Sequence, residues 1–228
     1  MGQQADCRGC DTSDMLAVHR TFRREFGLLP LLVRATPADC ASRAVLVAAH
    51  ARVVLDAFER HHDGEDALVW PRLHMRADVP QALIYLMETQ HAALADLVTL
   101  SRQLLDRWAA TAAAPDRDQL GLVLETLSAA LSEHLDDEER SLLPIAARNL
   151  TAAEWQQVGD REIASLPRHR LVPLLGALLE DASAAEQAQL LRRIPLTARV
   201  MYLLVGSRRY ERRRASLRRD LASTPVRA

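Results

Sequence analysis

Apolar residues recur every three to four positions along most of the chain, which is the period of an amphipathic α-helix. Prolines divide this pattern and set the expected helix ends. Four long helices are predicted, over about 12–34, 37–70, 80–110 and 115–143. We expect Pro30 to bend or end the regular part of the first helix, and Thr36 and Pro37 to begin the second. Long helices with short connections favour an all-α fold, an antiparallel up-down four-helix bundle.

The last third of the chain differs in charge from the rest. Residues 1–150 carry a net charge of −7, whereas residues 151–228 carry +6. Thr151 and Glu154 have the spacing of a capping box, which predicts a helix start at this boundary. The predicted units are a flexible N-terminus over 1–11, a helical bundle over 12–150 and a C-terminal extension of three or four shorter helices over 151–228.

Composition limits the class of protein. Of the 228 residues, 49% are apolar, which is enough for a packed core. No apolar run approaches the roughly 18 residues of a membrane span, and the N-terminus lacks the apolar segment of a signal peptide. Three cysteines do not make a disulfide framework. We therefore expect a cytoplasmic protein without a membrane partner.

Residues 208–219 form an arginine-rich stretch, whose positive charge raises the question of nucleic-acid binding. No nucleic-acid recognition motif accompanies it, so we do not expect nucleic-acid binding. The stretch is interpreted as a solvated face, or as a surface that docks on the acidic bundle. If the chain forms a homo-oligomer, the C-terminal helices are the expected interface.

Polar residues stand where the helical pattern calls for apolar ones. In the fourth helix Leu127 and Leu131 follow the buried stripe, and its next two steps are His134 and Glu138. An unpaired carboxylate costs several kcal/mol in a protein core. These two residues therefore need a partner inside the bundle.

The second helix repeats this arrangement with His61 and Glu65, at the same spacing from a following proline. The first and third helices each carry one histidine on the apolar stripe, His19 and His91. His19 precedes His61 by 42 residues and His91 precedes His134 by 43, which indicates a duplicated helical hairpin. Up-down topology brings all these side chains to one end of the bundle, and residues four apart share a helix face.

Four imidazoles and two carboxylates that converge in a bundle core have the composition of a dinuclear metal site. The carboxylates can bridge two ions while the histidines bind them separately. Mixed nitrogen and oxygen donors suit iron, manganese or zinc better than calcium or magnesium. Several coordination positions stay open to oxide, water, O2, NO or peroxide. The alternative is a metal-free hydrogen-bond network, which requires every buried polar atom to be satisfied.

The segments HHxxED…WP and HxxxEE…LP, with one histidine on each of the other two helices, resemble the hemerythrin-like family of HHE cation-binding domains. The resemblance covers about residues 12–148. It implies a pair of oxo- or hydroxo-bridged non-heme iron ions in an up-down bundle, with manganese or zinc as alternatives. The implied metal ligands are His19, His61, Glu65, His91, His134 and Glu138.

This sequence departs from the family pattern at one position. Oxygen-carrying members have a further histidine one helical turn after the third-helix ligand, where this chain has Ala95. The resemblance therefore favours a reactive or sensing site over simple reversible O2 storage.

Other polar residues near the predicted ligands could orient them or line the pocket. They are His62, Asp66, Tyr85, Glu88 and Glu139. We expect His62 to lie beside the ligands or at the surface, because the repeat has Leu135 in its place. Glu139 is the alternative carboxylate ligand of the fourth helix.

Two further features of the sequence, a histidine and a cysteine pair, indicate a function less specifically. His50 lies on the second-helix stripe about 16 Å along the axis from His61, and we interpret it as a hydrogen-bonded core histidine. Cys7 and Cys10 have the CxxC spacing of zinc or redox sites, and a role in redox chemistry stays open.

The main functional hypothesis is a di-iron protein that binds or reduces small oxidants, namely O2, NO or H2O2. One alternative is a di-iron oxidase or oxygenase that acts on an organic substrate, for which Ala95 leaves room. Another is a sensor or interaction module in which metal occupancy changes the exposure of residues 151–228. If the protein is an enzyme, the expected class is oxidoreductase.

Overall fold

The computed structural model describes residues 9–76, 78–194 and 196–223, which are mostly helical. The helices are α1 (Ser13–Arg34), α2 (Ala41–Leu68), α3 (Trp70–His74), α4 (Gln81–Thr111), α5 (Ala114–Asp137), α6 (Leu143–Asn149), α7 (Ala152–Ser165), α8 (Arg168–Glu180), α9 (Ala184–Arg193), α10 (Leu196–Met201) and α11 (Ser207–Arg218). π-helical turns join α5 to α6 (Glu138–Leu142) and α10 to α11 (Tyr202–Gly206). Within the described residues, no helix is both long and apolar enough to cross a bilayer.

The four long helices α1, α2, α4 and α5 form the bundle. Helix α1 packs against α2 and α5, and α4 packs against the same two helices, so the four enclose one core. Large apolar side chains fill it, among them Phe26, Leu55, Leu105, Trp108 and Leu124. The predicted all-α helical bundle is confirmed.

The second helix begins later than its prolines predict. Helix α2 starts at Ala41, and Thr36 instead lies just after the end of α1, where its buried hydroxyl donates to the carbonyl of Leu32 at 2.9 Å. Asp39 then adopts a left-handed backbone with φ 61°, which a short polar side chain tolerates. Pro37 therefore follows the end of a helix, a common place for proline, and the prediction that it begins α2 is wrong.

Prolines interrupt the long helices less than expected. Helix α1 continues through Pro30 to Arg34. The fourth bundle helix also continues past Pro144, through the π-helical turn that begins at Glu138. Proline has no N–H to pair with the carbonyl four residues earlier, and the wider turn lies directly before it. A π-helical turn inserts one residue and is frequent at functional sites.

The C-terminal extension packs on the bundle. Helix α7 contacts α2, α8 contacts α1, and α11 contacts α8. The predicted capping box of Thr151 and Glu154 is present at the start of α7. Arg43 of α2 donates to the carbonyl of Ser216 at 2.7 Å and lies 3.0 Å from the carboxylate of Asp220. The arginine-rich stretch thus lies against the bundle.

A buried ionic cluster joins the extension to two bundle helices. Glu25 of α1 is 4% exposed and accepts a hydrogen bond from His50 of α2 at 3.0 Å. Arg24 also donates to Glu25, at 2.9 Å, and Arg218 of α11 lies 3.7 Å away. Burial alone would raise the pKa of Glu25, but the His50 hydrogen bond and the Arg24 charge lower it to about 2.

We predict that Glu25→Gln destabilises the metal-free protein by about 3 kcal/mol at neutral pH. A carboxyl with a lowered folded-state pKa stabilises the fold above its ordinary pKa of 4.5, and this contribution is lost as the pH falls toward 2. The variant should therefore lose less stability than the wild type between those pH values. Urea unfolding in a chelator at several pH values measures this.

The matched control is Glu125→Gln, which removes a half-exposed carboxylate paired with Arg34. Exposed ion pairs contribute roughly 0–1 kcal/mol, so its stability should stay close to that of the wild type. Equal losses in the two variants would contradict the role assigned to the Glu25 cluster.

Candidate metal centre

The six predicted ligands lie together at one end of the bundle. His19 comes from α1, His61 and Glu65 from α2, His91 from α4, His134 from α5 and Glu138 from the first residue of the π-helical turn. Each is at most 5% exposed. The i, i+4 spacing in α2 puts its histidine and carboxylate on the same inward face. The antiparallel arrangement of the helices then brings these inward faces together at one end of the bundle.

Each buried carboxylate lies between two imidazole nitrogens. Glu138 Oε2 is 3.4 Å from His19 Nε2 and 3.7 Å from His134 Nε2. The oxygens of Glu65 are 3.5 Å from His61 Nε2 and 3.6 Å from His91 Nε2. These distances exceed those of good hydrogen bonds.

The inward-facing atoms share one property. Within the described residues, the four Nε2 atoms, both oxygens of Glu65 and Oε2 of Glu138 are buried and have no hydrogen-bond partner. Native proteins rarely leave so many buried polar atoms unsatisfied in one place. Cations bound between these atoms would satisfy them, so the arrangement fits cation binding.

Hydrogen bonds on the outer side hold the four rings in place. Each ring bonds through Nδ1 to an acceptor at 2.7–3.0 Å: His19 to Glu139, His61 to Glu162, His91 to Asp66 and His134 to Gln90. Carboxylates only accept, so Nδ1 carries the hydrogen and the Nε2 lone pair faces inward. Gln90 fits the same pattern, because its amide nitrogen donates to Asp137 and leaves its oxygen for the ring.

The electrostatics of the metal-free centre are unfavourable. Burial and the nearby charge of Glu138 raise the pKa of Glu65 well above its ordinary value. Burial also opposes ionisation of Glu138, but electrostatic attraction to the imidazoles of His19 and His134 lowers its pKa. Burial and the surrounding imidazoles lower the pKa of His134 to about 4, so this ring is neutral, the form that binds metal. Bound cations would relieve the repulsion between the carboxylates.

His62 lies closer to these donors than the sequence indicated. It is 7% exposed, and its ring stacks on that of His91 with centroids 3.7 Å apart. Burial and the adjacent imidazoles lower its pKa well below the ordinary value. The donor atoms of His62, His91 and His134 all lie within 4.8 Å of one another, and so do those of His19, His61 and Glu65.

Two of the neighbouring residues do not contact the ligand rings. Tyr85 does not line the pocket, because it is 71% exposed on the outer face of α4. Glu88 does not orient His91, because Asp66 accepts from that ring, whereas Glu88 pairs with His74 at 3.1 Å. Asp66 and Glu139 do contact ligand rings, as the sequence analysis allowed.

The cysteine pair is only partly within the described residues. Cys7 lies outside them. Burial and the charges of nearby acids raise the pKa of the Cys10 thiol to about 11, and the thiol lies 3.6 Å from the carbonyl of Ala146. A protonated thiol is a weak nucleophile and metal ligand.

Glu162 is the functional candidate that the sequence analysis missed. It belongs to α7, outside the predicted bundle, and accepts from His61 at 2.9 Å. A signal was present, because Trp155 and Val158 form the buried face of α7 and Glu162 is the next step on it. It is again a carboxylate on an apolar stripe.

Two cavities flank the centre. A cleft of about 540 Å³ between α2 and α4 has Phe58, His62, His91 and Ala95 among its lining residues and acidic residues at its rim. On the other side, a smaller and mostly apolar pocket of about 120 Å³ lies beside His61, under helices α7 and α8.

We predict that Glu162→Ala weakens metal binding about 10- to 100-fold, the usual effect of removing the acceptor that orients a ligating imidazole. Anaerobic competition with a chelator measures the affinity. Asp160→Ala is the control, since it removes an exposed carboxylate from the same helix. Equal affinities of the two variants would show that the Glu162 contact does not support the centre.

Glu65→Leu should stabilise the metal-free protein by about 1–4 kcal/mol while abolishing binding of the full metal complement. The reason is that leucine removes a buried carboxyl without a hydrogen-bond partner among the described residues. Urea unfolding in a chelator gives the stability, and Glu133→Leu, at an exposed position of α5, is the control. A Glu65→Leu protein less stable than the wild type would refute this explanation.

Comparison with known proteins agrees with this geometry. The family model described as the hemerythrin HHE cation binding domain matches residues 10–146, more than half of the chain. No curated protein and no solved structure matches the chain. The matched range includes the four long helices and all six predicted ligands. The chain therefore belongs to the hemerythrin HHE cation-binding domain family.

Proposed function

We propose that this protein holds two iron ions at the end of its bundle and uses them to bind or reduce small oxidants. The observation that carries the proposal is the set of inward Nε2 and carboxylate oxygen atoms without hydrogen-bond partners in the described structure. Mixed imidazole and carboxylate donors favour iron over calcium or magnesium, and manganese or zinc are the alternatives.

The residues have distinct tasks in this proposal. Glu65 and Glu138 would bridge the ions, since each lies between histidines of different helices. The imidazoles would bind the ions through Nε2, while their Nδ1 hydrogen bonds fix the ring orientation. Phe22 packs beside His61 and Trp70 beside His91, with centroids 5.2 and 5.4 Å apart, and these aromatic rings limit access of water.

Iron supplies the redox chemistry. Held by these side chains, two ferrous ions would supply the two electrons that, with two protons, are needed to reduce one H2O2 to two water molecules. The chain's own contribution is to leave coordination positions free, because six side chains do not saturate two six-coordinate ions. The small apolar pocket beside His61 has a size suited to O2, NO or H2O2.

A second candidate function is oxidation of an organic substrate. The cleft between α2 and α4 favours it, because about 540 Å³ beside His91 is enough for a small organic molecule, and Ala95 lines it as the sequence analysis expected. A substrate-dependent increase in O2 consumption would support this function over reaction with small oxidants alone.

The hydrogen bond from His61 to Glu162 supports a sensing function in the same way. This bond joins a proposed ligand to helix α7 of the extension. Loss of metal would therefore change the contact between α7 and the bundle. If limited proteolysis of residues 151–228 is identical with and without iron, this function is excluded.

The main proposal is tested by absorption spectroscopy. Anaerobically iron-loaded protein is mixed with O2, NO or H2O2, and we expect charge-transfer bands of a bridged ferric pair or an iron–nitrosyl species. His61→Ala and Glu138→Ala should lose these bands. His74→Ala, which changes an exposed histidine outside the centre, should keep them. Iron-loaded wild-type protein that reacts with none of the three oxidants would refute the proposal.

A further inference from the structure

His62 breaks the internal symmetry of the bundle. The two hairpins match at their histidine and carboxylate positions, but Leu135 occupies the place of His62 in the second hairpin. Both side chains are buried. Leu135 is apolar and needs no partner, whereas His62 Nε2 is buried without a hydrogen-bond partner among the described residues.

The surroundings of His62 do not explain an imidazole by packing alone. Its ring lies 4.1 Å from that of Phe58 and stacks on His91 with an interplanar angle of 7°. Leucine or phenylalanine would fill such a site without leaving a polar atom unsatisfied. A buried polar atom without a hydrogen-bond partner costs roughly 1–3 kcal/mol. A nitrogen placed at this cost, beside two other inward-facing imidazoles, indicates a ligand.

The spacing of the donor atoms is close to what one ion requires. Imidazole nitrogens bind a divalent metal such as zinc at about 2.0–2.1 Å, so two donors on one ion are at most about 4.2 Å apart. The donor atoms of His62, His91 and His134 lie within 4.8 Å of one another. The rings of His62 and His91 are parallel, so His62 must turn out of this stack to direct its Nε2 at an ion that His91 also binds.

We propose that His62 is a metal ligand, and that with His91 and His134 it forms a three-imidazole position beside the α2–α4 cleft. This inference rests on the proposed metal centre and deepens it. The second position then has the imidazoles of His19 and His61, with Glu65 and Glu138 shared between the two. The centre is therefore unsymmetrical, with three imidazoles at one ion and two at the other.

Two chemically different positions bind metal with different strength. The imidazole-rich ion, which His62 and His91 place next to the cleft, has fewer coordination positions left for external ligands. The ion of His19 and His61 keeps more open positions, on the side of the small apolar pocket.

The test is an anaerobic titration with Co²⁺, whose visible absorption reports on its ligands without oxygen chemistry. Wild-type protein is compared with His62→Leu, which copies the other hairpin, and with His62→Phe, which keeps an aromatic ring on His91. We expect two Co²⁺ per chain in the wild type. In both variants one of the two should bind at least about tenfold more weakly, with altered absorption.

Three results would overturn the inference. Both variants could bind two ions within twofold of the wild type, or His62→Phe alone could do so, which would assign His62 a stacking role. The third is a wild-type protein that binds no Co²⁺ or Fe²⁺, which would refute the proposed function as well. In the first two cases the proposed function stands.

A second measurement does not depend on the stability of the variants. Anomalous scattering from crystals of Co²⁺-loaded wild-type protein locates the ions directly. An ion within about 2.1 Å of His62 Nε2 supports the inference. Two located ions with His62 Nε2 more than about 3 Å from both would overturn it.

Discussion

Hydrogen bonds from the outer nitrogens of four buried imidazoles are the contacts on which the centre depends. Each bond places the hydrogen on Nδ1 and directs the Nε2 lone pair into the bundle. Without these bonds the rings could turn and satisfy the inward carboxylates by themselves. With them, the described part of the core keeps a group of inward nitrogen and oxygen atoms without hydrogen-bond partners, to which cations could bind.

The fold tolerates this cost because most of the bundle core is apolar. Leucines and aromatic residues fill the core from Leu29 to Leu131, so the polar cluster is confined to one end. The π-helical turn begins at Glu138, where the buried stripe of α5 changes from leucine to ligand. The ionic cluster at Glu25 lies elsewhere in the bundle and fastens the extension independently of the centre.

The extension contacts the centre through Glu162 of α7. Three of the four outer acceptors come from the bundle or its π-helical turn, and the fourth, Glu162, comes from α7. The family match ends at residue 146, before this helix begins. The centre of this chain thus uses a residue that lies beyond the matched family domain.

Much of the centre follows from the sequence, because period and burial are linked. A histidine and a carboxylate on a leucine stripe must face the core, so His134 and Glu138 could be placed before any coordinates were known. The same reasoning applied to α7 would have found Glu162. It could not place His62, because a residue about 100° from the stripe faces the core or solvent according to how tightly the neighbouring helix packs.

Local backbone chemistry accounts for the features that the sequence did not predict. Thr36 can cap the start of one helix or donate back into the preceding one, and only the packing of α1 selects the second. A proline signals a break, but not whether a π-helical turn accommodates it, as before Pro144. Tyr85 has an aromatic side chain two turns from His91, yet the rotation of α4 directs it to solvent.

The central claim is that these buried side chains hold two iron ions. Iron content, measured by elemental analysis after anaerobic loading with Fe²⁺ and removal of free metal, tests it most directly. We expect close to two iron ions per chain. Retention of well under one transition-metal ion per chain, with iron supplied in excess and the fold intact, would contradict it.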